Sequence, residues 1–174
     1  MTQHVYGIRR AYIVPLGIDT LLLLSLLVIS LLQRGDATEK WIFLLFALPT
    51  AYLFLESLIR RIVVTDGSLF VRTLWKKKTV FWGEITHVGC LNLRRKVYLL
   101  LTTTKGIIIL SNAYEEFVLL TEEIIERVGV ERVEEEVRLQ GGRSGAGIGN
   151  VVLAWVAAAF MAGVILMKVY PFTM

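Results

Sequence analysis

The chain has little of what small enzymes and secreted domains are usually built from: one cysteine, two histidines and three prolines in 174 residues. Cys90 alone can form neither an internal disulfide nor a thiolate metal cage, since both need partner thiols. Its plainest reading is a small, buried or half-buried residue. His4 and His87 stand without carboxylate or cysteine company at ligand spacing, so no metal site is read. Ser68, Ser111 and Ser144 have no neighbouring base or nucleophile-elbow context, and the glycine-rich stretch 141–149 lacks the Lys-Ser/Thr ending of a phosphate loop. No catalytic constellation emerges. Neither enzymatic activity nor a cofactor is expected.

What the chain has is apolar length. Its hydrophobic fraction is 55% and its mean hydropathy +0.63, above the usual range of soluble domains. Tyr12 to Leu32, Trp41 to Ile59 and Val151 to Tyr170 are each long and apolar enough for a transmembrane helix, which needs roughly 20 residues. The first run is longer than the apolar core of a signal peptide and no small-x-small cleavage site follows it, so it is expected to stay in the protein. Pro15 and Asp19 weaken this span, and Leu21–Leu24 with Leu26–Leu32 compensate.

Lys and Arg set the expected orientation. Only Arg34, Lys40 and Lys168 fall on one side of the three spans; the other 16 lie with the N-terminus and the segment between spans two and three. By the positive-inside rule those parts are cytosolic and the C-terminus, Pro171 to Met174, lies outside. The expected address is the cytoplasmic (inner) membrane, multi-pass. Lys168 can snorkel to the outer interface, with Tyr170 and Trp41 as aromatic anchors.

The segment between the spans has a different grain. Arg60–Asp66 and Ser68–Leu74 are strand-like runs split by Asp66-Gly67, a hairpin signal because glycine accepts the positive φ of a type I′ turn. Further runs are Thr79–Trp82 after the basic turn Lys76–Lys78, Thr86–Leu93, then Val97–Thr104 and Ile107–Ser111 across Lys105-Gly106. Six short strands with tight connections predict an antiparallel meander that curls into a small barrel or sandwich. An amphipathic helix closes it. Asn112 with Glu115 resembles a capping box, Phe117, Leu120, Ile124 and Val128 recur at helical spacing with Val118 and Ile125 beside them, and Gly129 suits the C-terminal cap. Glu131–Leu139 fits a short helix by Val130, Val133 and Val137 or a solvated tail by the acidic Glu134–Glu136, and leans towards the helix; 141–149, with five glycines, reads as a flexible linker. The domain boundaries follow as 1–59 for a two-helix hairpin, 60–130 for the folded domain, 131–149 for the acidic segment and linker, and 150–174 for the third span.

Strands in this number capped by one C-terminal helix suggest the pleckstrin-homology (PH) architecture. The run Val63-Val64-Thr65-Asp66-Gly67-Ser68-Leu69-Phe70-Val71, a basic turn, and Val80-Phe81-Trp82-Gly83-Glu84-Ile85 resemble the bacterial PH-like domain family. The resemblance covers about residues 60–130. Members often hang such a domain from transmembrane helices. It implies a membrane α plus β protein, three transmembrane helices with a cytosolic PH-like antiparallel β-barrel or sandwich capped by a C-terminal amphipathic helix. It also implies a binding or scaffolding module, with Trp82 in the core. Phosphoinositide binding is not implied, because the first turn is the acidic Asp66-Gly67.

Four features are candidates for function. Residues 60–113 carry ten Lys or Arg against Asp66 and Glu84, whereas 114–145 carry nine Glu against four Arg, a basic sheet with an acidic helix. Trp75, Lys76, Lys77 and Lys78, with Arg94, Arg95 and Lys96, could meet anionic headgroups. The bland alternative is solvated turn charge. The Glu-rich helix back, Glu115, Glu116, Glu122, Glu123 and Glu126, offers a protein-binding face. Asp19 is the ionisable residue deep in a span, with Thr20, Ser25, Thr50 or Glu56 as possible partners; it is either a structural polar contact or a working carboxylate. Ala154, Ala158 and Ala162, with Ala159 and Gly163 as a second pair, allow close helix approach, to this chain's own spans or to another subunit. The membrane tether and the acidic helix argue against nucleic acid.

The expected function is a non-catalytic membrane-anchored scaffold or adaptor docking proteins or a larger complex, with membrane lipids and a protein partner or a second copy as contacts. The alternatives are an accessory subunit of a transport or energy-converting complex that uses Asp19, and an anionic-lipid sensor.

Overall fold

A computed structural model describes residues 3–33, 36–93, 96–140 and 148–170, and the chain divides into two compact units. One comprises residues 1–9 and 59–147, the other 10–58 and 148–174.

The first unit holds two antiparallel sheets. Strands β1 (His4–Gly7), β2 (Arg61–Val64), β3 (Ser68–Arg72) and β4 (Lys77–Phe81) pair in that order, and β5 (Ile85–Leu93), β6 (Lys96–Thr103) and β7 (Gly106–Ser111) form the second sheet. Six of these seven strands fall on runs that the alternation predicts. The seventh, β1, comes from the N-terminus and pairs His4 with Val64 and Gly7 with Arg61. The folded unit therefore starts before the first apolar helix, and residues 10–58 interrupt it between two neighbouring strands.

Alternation decides what each strand buries. Ile62 and Val64 on β2, Leu69 on β3, Leu99 and Leu101 on β6, and Leu110 on β7 are fully buried, each contributing about 1.5–3 kcal/mol by leaving water. Helix α3 (Phe117–Val128) adds Phe117, Leu120, Ile124 and Val128 to the same core. Trp82 is buried, and its indole Nε1 donates to the Thr65 carbonyl at 3.0 Å. A short α4 (Glu135–Gln140) places Val137 against β5.

Three local expectations are corrected. The Asp66-Gly67 hairpin forms, but Gly67 does not take positive φ, so the turn is not type I′. It is held instead by Thr65, whose N–H and hydroxyl both reach the Ser68 carbonyl, at 3.0 and 2.8 Å. The closing helix does not start from an Asn112–Glu115 capping box. Its N-cap is Glu116 at φ 50°, with no side-chain cap, and Asn112 is buried at the end of β7. Lys77 and Lys78 belong to β4, so the turn before it is Thr73–Lys76.

The second unit consists of α1 (Arg10–Leu32), α2 (Ala37–Ile59) and α5 (Ile148–Val169), three helices long and apolar enough to cross a membrane. Helix α1 packs along α5. Gly17 brings α1 close to α2, since a Cβ there would lie 2.8 Å from the Phe54 ring. At the other end Lys168 of α5 pairs with Glu39 of α2 and lies over the Phe43 ring.

Candidate functional site

The first unit has an open groove of about 670 Å³ between the β1 edge and one stripe of α3. Its strand wall is Gln3 to Tyr6, and its helix wall is Glu116, Leu119, Glu122, Glu123, Glu126 and Arg127. The floor is tied down by charge-assisted bonds. Tyr6 Oη donates to Glu123 at 2.9 Å, Arg127 Nη2 donates to the same carboxylate at 3.1 Å, and His4 Nδ1 lies 3.4 Å from it. Glu123, which the sequence places on the exposed acidic face, is thus engaged in the wall. Burial, then the hydrogen bond and charge of Glu123, push the Tyr6 phenol up to about 12.

Arg127 extends this network to the β2–β3 turn, donating to the Thr65 carbonyl at 2.9 Å and stacking over Trp82 with its guanidinium carbon 5.7 Å from the ring centre. The remaining acidic residues stay on the surface. Glu116, Glu122 and Glu126 are exposed and form no ion pair among the described residues. Glu115 is exposed too but does not line the groove; its backbone N–H closes the end of β1 through Gly7.

Of the basic candidates, Trp75 lies at the β3–β4 turn and is 80% exposed, and Lys76, Lys77 and Lys78 are exposed beside it. Arg94 and Arg95 lie outside the described residues, as do 141–147 of the expected linker; Lys96 opens β6. Among the described residues, Trp75 and Lys76–Lys78 together make a basic-aromatic turn.

Asp19 is 7% exposed, and its Oδ1 is buried with no hydrogen-bond partner among the described residues. The hydroxyls proposed as its partners are used elsewhere: Thr20, Ser25 and Thr50 each donate to the carbonyl four residues back in their own helix. On α5, Ala158 is buried with Ala154 and Ala162 half-buried, whereas Ala159 and Gly163 are exposed. A Cβ at Gly163 would meet nothing within 4 Å.

A last polar cluster joins Glu134, the residue before α4, to β5. His87 Nε2 and Glu134 Oε1 are 2.7 Å apart, and the Cys90 N–H donates to the same carboxylate at 3.4 Å. These two bonds hold the Glu134 carboxyl below the usual carboxylate range. Burial, then Glu136 and Glu134, push the Cys90 thiol up, which disfavours the reactive thiolate. No group of three or more metal-ligating side chains occurs among the described residues.

Sequence reasoning missed β1, and with it the groove. Four residues, His-Val-Tyr-Gly, alternate too briefly to stand out, and their partner strand begins more than 50 residues later. The signal the segment carries is the strand-favouring pair Val5-Tyr6. No protein-family model matches the chain, and neither does any curated protein or solved structure.

Proposed function

We propose that the protein is a non-catalytic, membrane-anchored adaptor whose folded unit is PH-like. Two antiparallel sheets of four and three strands, with a C-terminal amphipathic helix on their core, support the PH-like reading. The pairing of β1 with β2 supports the topology. A helical hairpin that leaves after Arg9 and returns at Arg60 has both ends on one side of the bilayer, and Arg9, Arg10, Arg60 and Arg61 make that side the cytosolic one. A single crossing by α5 then leaves the C-terminus outside.

The observation that carries the adaptor reading is the groove wall, where surface carboxylates unpaired among the described residues line an open depression. Such a surface suits a partner of opposite charge, which electrostatic complementarity both attracts and selects. Native mass spectrometry of the N-terminally tagged protein, gently extracted from its own membrane, tests this. A reproducible mass containing a second protein is expected; a bare monomer under every gentle extraction contradicts it.

The exposed Trp75 favours a second, compatible reading in which the β3–β4 turn touches anionic headgroups, with about 1 kcal/mol from each nearby Lys. Hydrogen exchange in nanodiscs then slows at Thr73–Lys78 when anionic lipid replaces zwitterionic lipid, and the effect disappears when Lys76, Lys77 and Lys78 are changed to Gln. Identical exchange in both lipids rules this out.

A further inference from the structure

We infer that the groove between β1 and α3 receives a basic, extended peptide segment of a partner protein, which adds to β1 as an antiparallel or parallel strand. The inference rests on the adaptor reading and names the chemistry of its partner.

Backbone direction supplies the first step. Residues 113–115 cap the outer edge of β1 at its C-terminal end, with the Glu115 N–H on the Gly7 carbonyl at 2.8 Å and the Arg9 N–H on the Ala113 carbonyl at 3.0 Å. Ile8 and Tyr114 form the bridge between these bonds. The Gly7 carbonyl thus points away from β2. Backbone groups alternate along a strand, so the N–H and C=O of Val5 point the same way, while those of His4 and Tyr6 face β2. At Glu116 the chain takes a left-handed φ of 50° and turns into α3, ending its short pairing with β1. The N-terminal half of the β1 edge is left with outward groups that no other strand among the described residues takes. An edge of this kind is a template for strand addition.

Charge and shape specify the occupant. Side chains of an added strand alternate, and those on the His4–Tyr6 face project towards α3. There they meet Leu119, which is 51% exposed, between Glu116, Glu122 and Glu126. Lys and Arg fit this wall because their aliphatic stems lie on an apolar side chain while the charged heads reach carboxylates. An acidic segment or an anionic headgroup is repelled by the same wall. A second copy of this chain is the competing occupant.

The test is fluorescence anisotropy of a labelled peptide of alternating Lys and Val, added to the full-length protein in zwitterionic nanodiscs. Saturable binding is expected. It should weaken by about tenfold or more in the Glu122→Gln, Glu126→Gln double variant, as lost charge contacts at interfaces do. Val5→Pro removes the outward N–H and no bond to β2, a substitution edge strands tolerate, and should abolish binding. The same peptide N-methylated at alternate residues should fail against the unaltered protein, which keeps the proposal testable if Val5→Pro unfolds. No saturable binding overturns the inference. So does binding that survives N-methylation, which would mark loose charge attraction, or a native dimer that Val5→Pro converts to monomer, which would assign the edge to a second copy. A heteromeric native mass together with absent peptide binding removes this inference and leaves the adaptor reading standing.

Discussion

Tyr6 links the N-terminal strand to α3 through a phenol that donates to Glu123, and burial with this carboxylate raises its pKa from about 10 to about 12. A raised folded pKa means that the contribution is complete below the unfolded value and is lost as pH rises through the folded one. The contribution of Tyr6 is therefore kept up to about pH 10 and is lost as pH rises towards about 12. Urea unfolding of the wild type against Tyr6→Phe should show this extra slope in the wild type alone; equal slopes would separate Tyr6 from the effect. Tyr114, fully buried, accepts at its Oη from Arg60 Nε at 2.9 Å and at its carbonyl from Arg9 Nε at 3.1 Å. Tyr114→Phe should cost about 1–3 kcal/mol by leaving a charged donor short of one acceptor, and Tyr114→Ala about 3–5 kcal/mol, read as midpoint shifts in thermal unfolding. Asp19 is the opposite case. With Oδ1 buried and unpartnered among the described residues, Asp19→Val should leave the detergent-solubilised protein as stable or about 1–3 kcal/mol more stable; a clear loss would show that the carboxyl has a partner. Residue types were readable from the sequence here, but their partners were not. Arg9 and Arg60 read as orientation charges, and their bonds to Tyr114 depend on bringing residues more than 50 and 100 positions apart together.

At the scale of elements, the apolar helices were readable because a run of about 20 apolar residues has few alternative explanations. The strands of the 60–111 segment were readable because alternation and turn dipeptides coincide. Turn and cap details were not. Asp66-Gly67 marks a turn whether or not Gly67 uses its conformational freedom, and the helix start was decided by a backbone reversal at Glu116 that no side-chain pattern announces. Small residues illustrate the same limit. Ala154, Ala158 and Ala162 carry the same sequence signal as Ala159 and Gly163, yet the first set is buried or half-buried and the second exposed. Gly17 was unremarked, though it sets the approach of α1 to α2. Gly17→Ala should be nearly neutral, because the atom it meets is the far edge of the Phe54 ring. Gly17→Leu should lower stability by about 1–3 kcal/mol by overpacking, and adding Phe54→Ala should restore part of the loss. Thermal denaturation in detergent followed by helical circular dichroism separates these variants, and equal midpoints for all would place the two helices apart at this point.

For the whole molecule, chain connectivity matters more than composition. The folded unit takes its first strand from residues that precede α1 and the rest from residues after α2. Linear domain boundaries at 59 and 60 cut through a sheet that the non-local pairing of β1 with β2 holds together, and pairings of such separation leave no local trace in sequence. This interruption is also what makes the groove. Without β1 there is no edge beside α3, and Ile62 and Val64 lose the strand that flanks them. Gly7 and Arg61 are opposite each other across the β1–β2 pair, so residues 1–9 can be joined to 59–140 by a short Gly-Ser linker in place of the helical hairpin. The decisive measurement is thermal unfolding of this joined chain beside residues 59–140 alone, followed by far-ultraviolet circular dichroism. The account predicts a water-soluble, cooperatively unfolding β-rich domain for the joined chain and a markedly lower midpoint, or no transition, for the chain without β1. Equal midpoints, or no folded state in either, would contradict it.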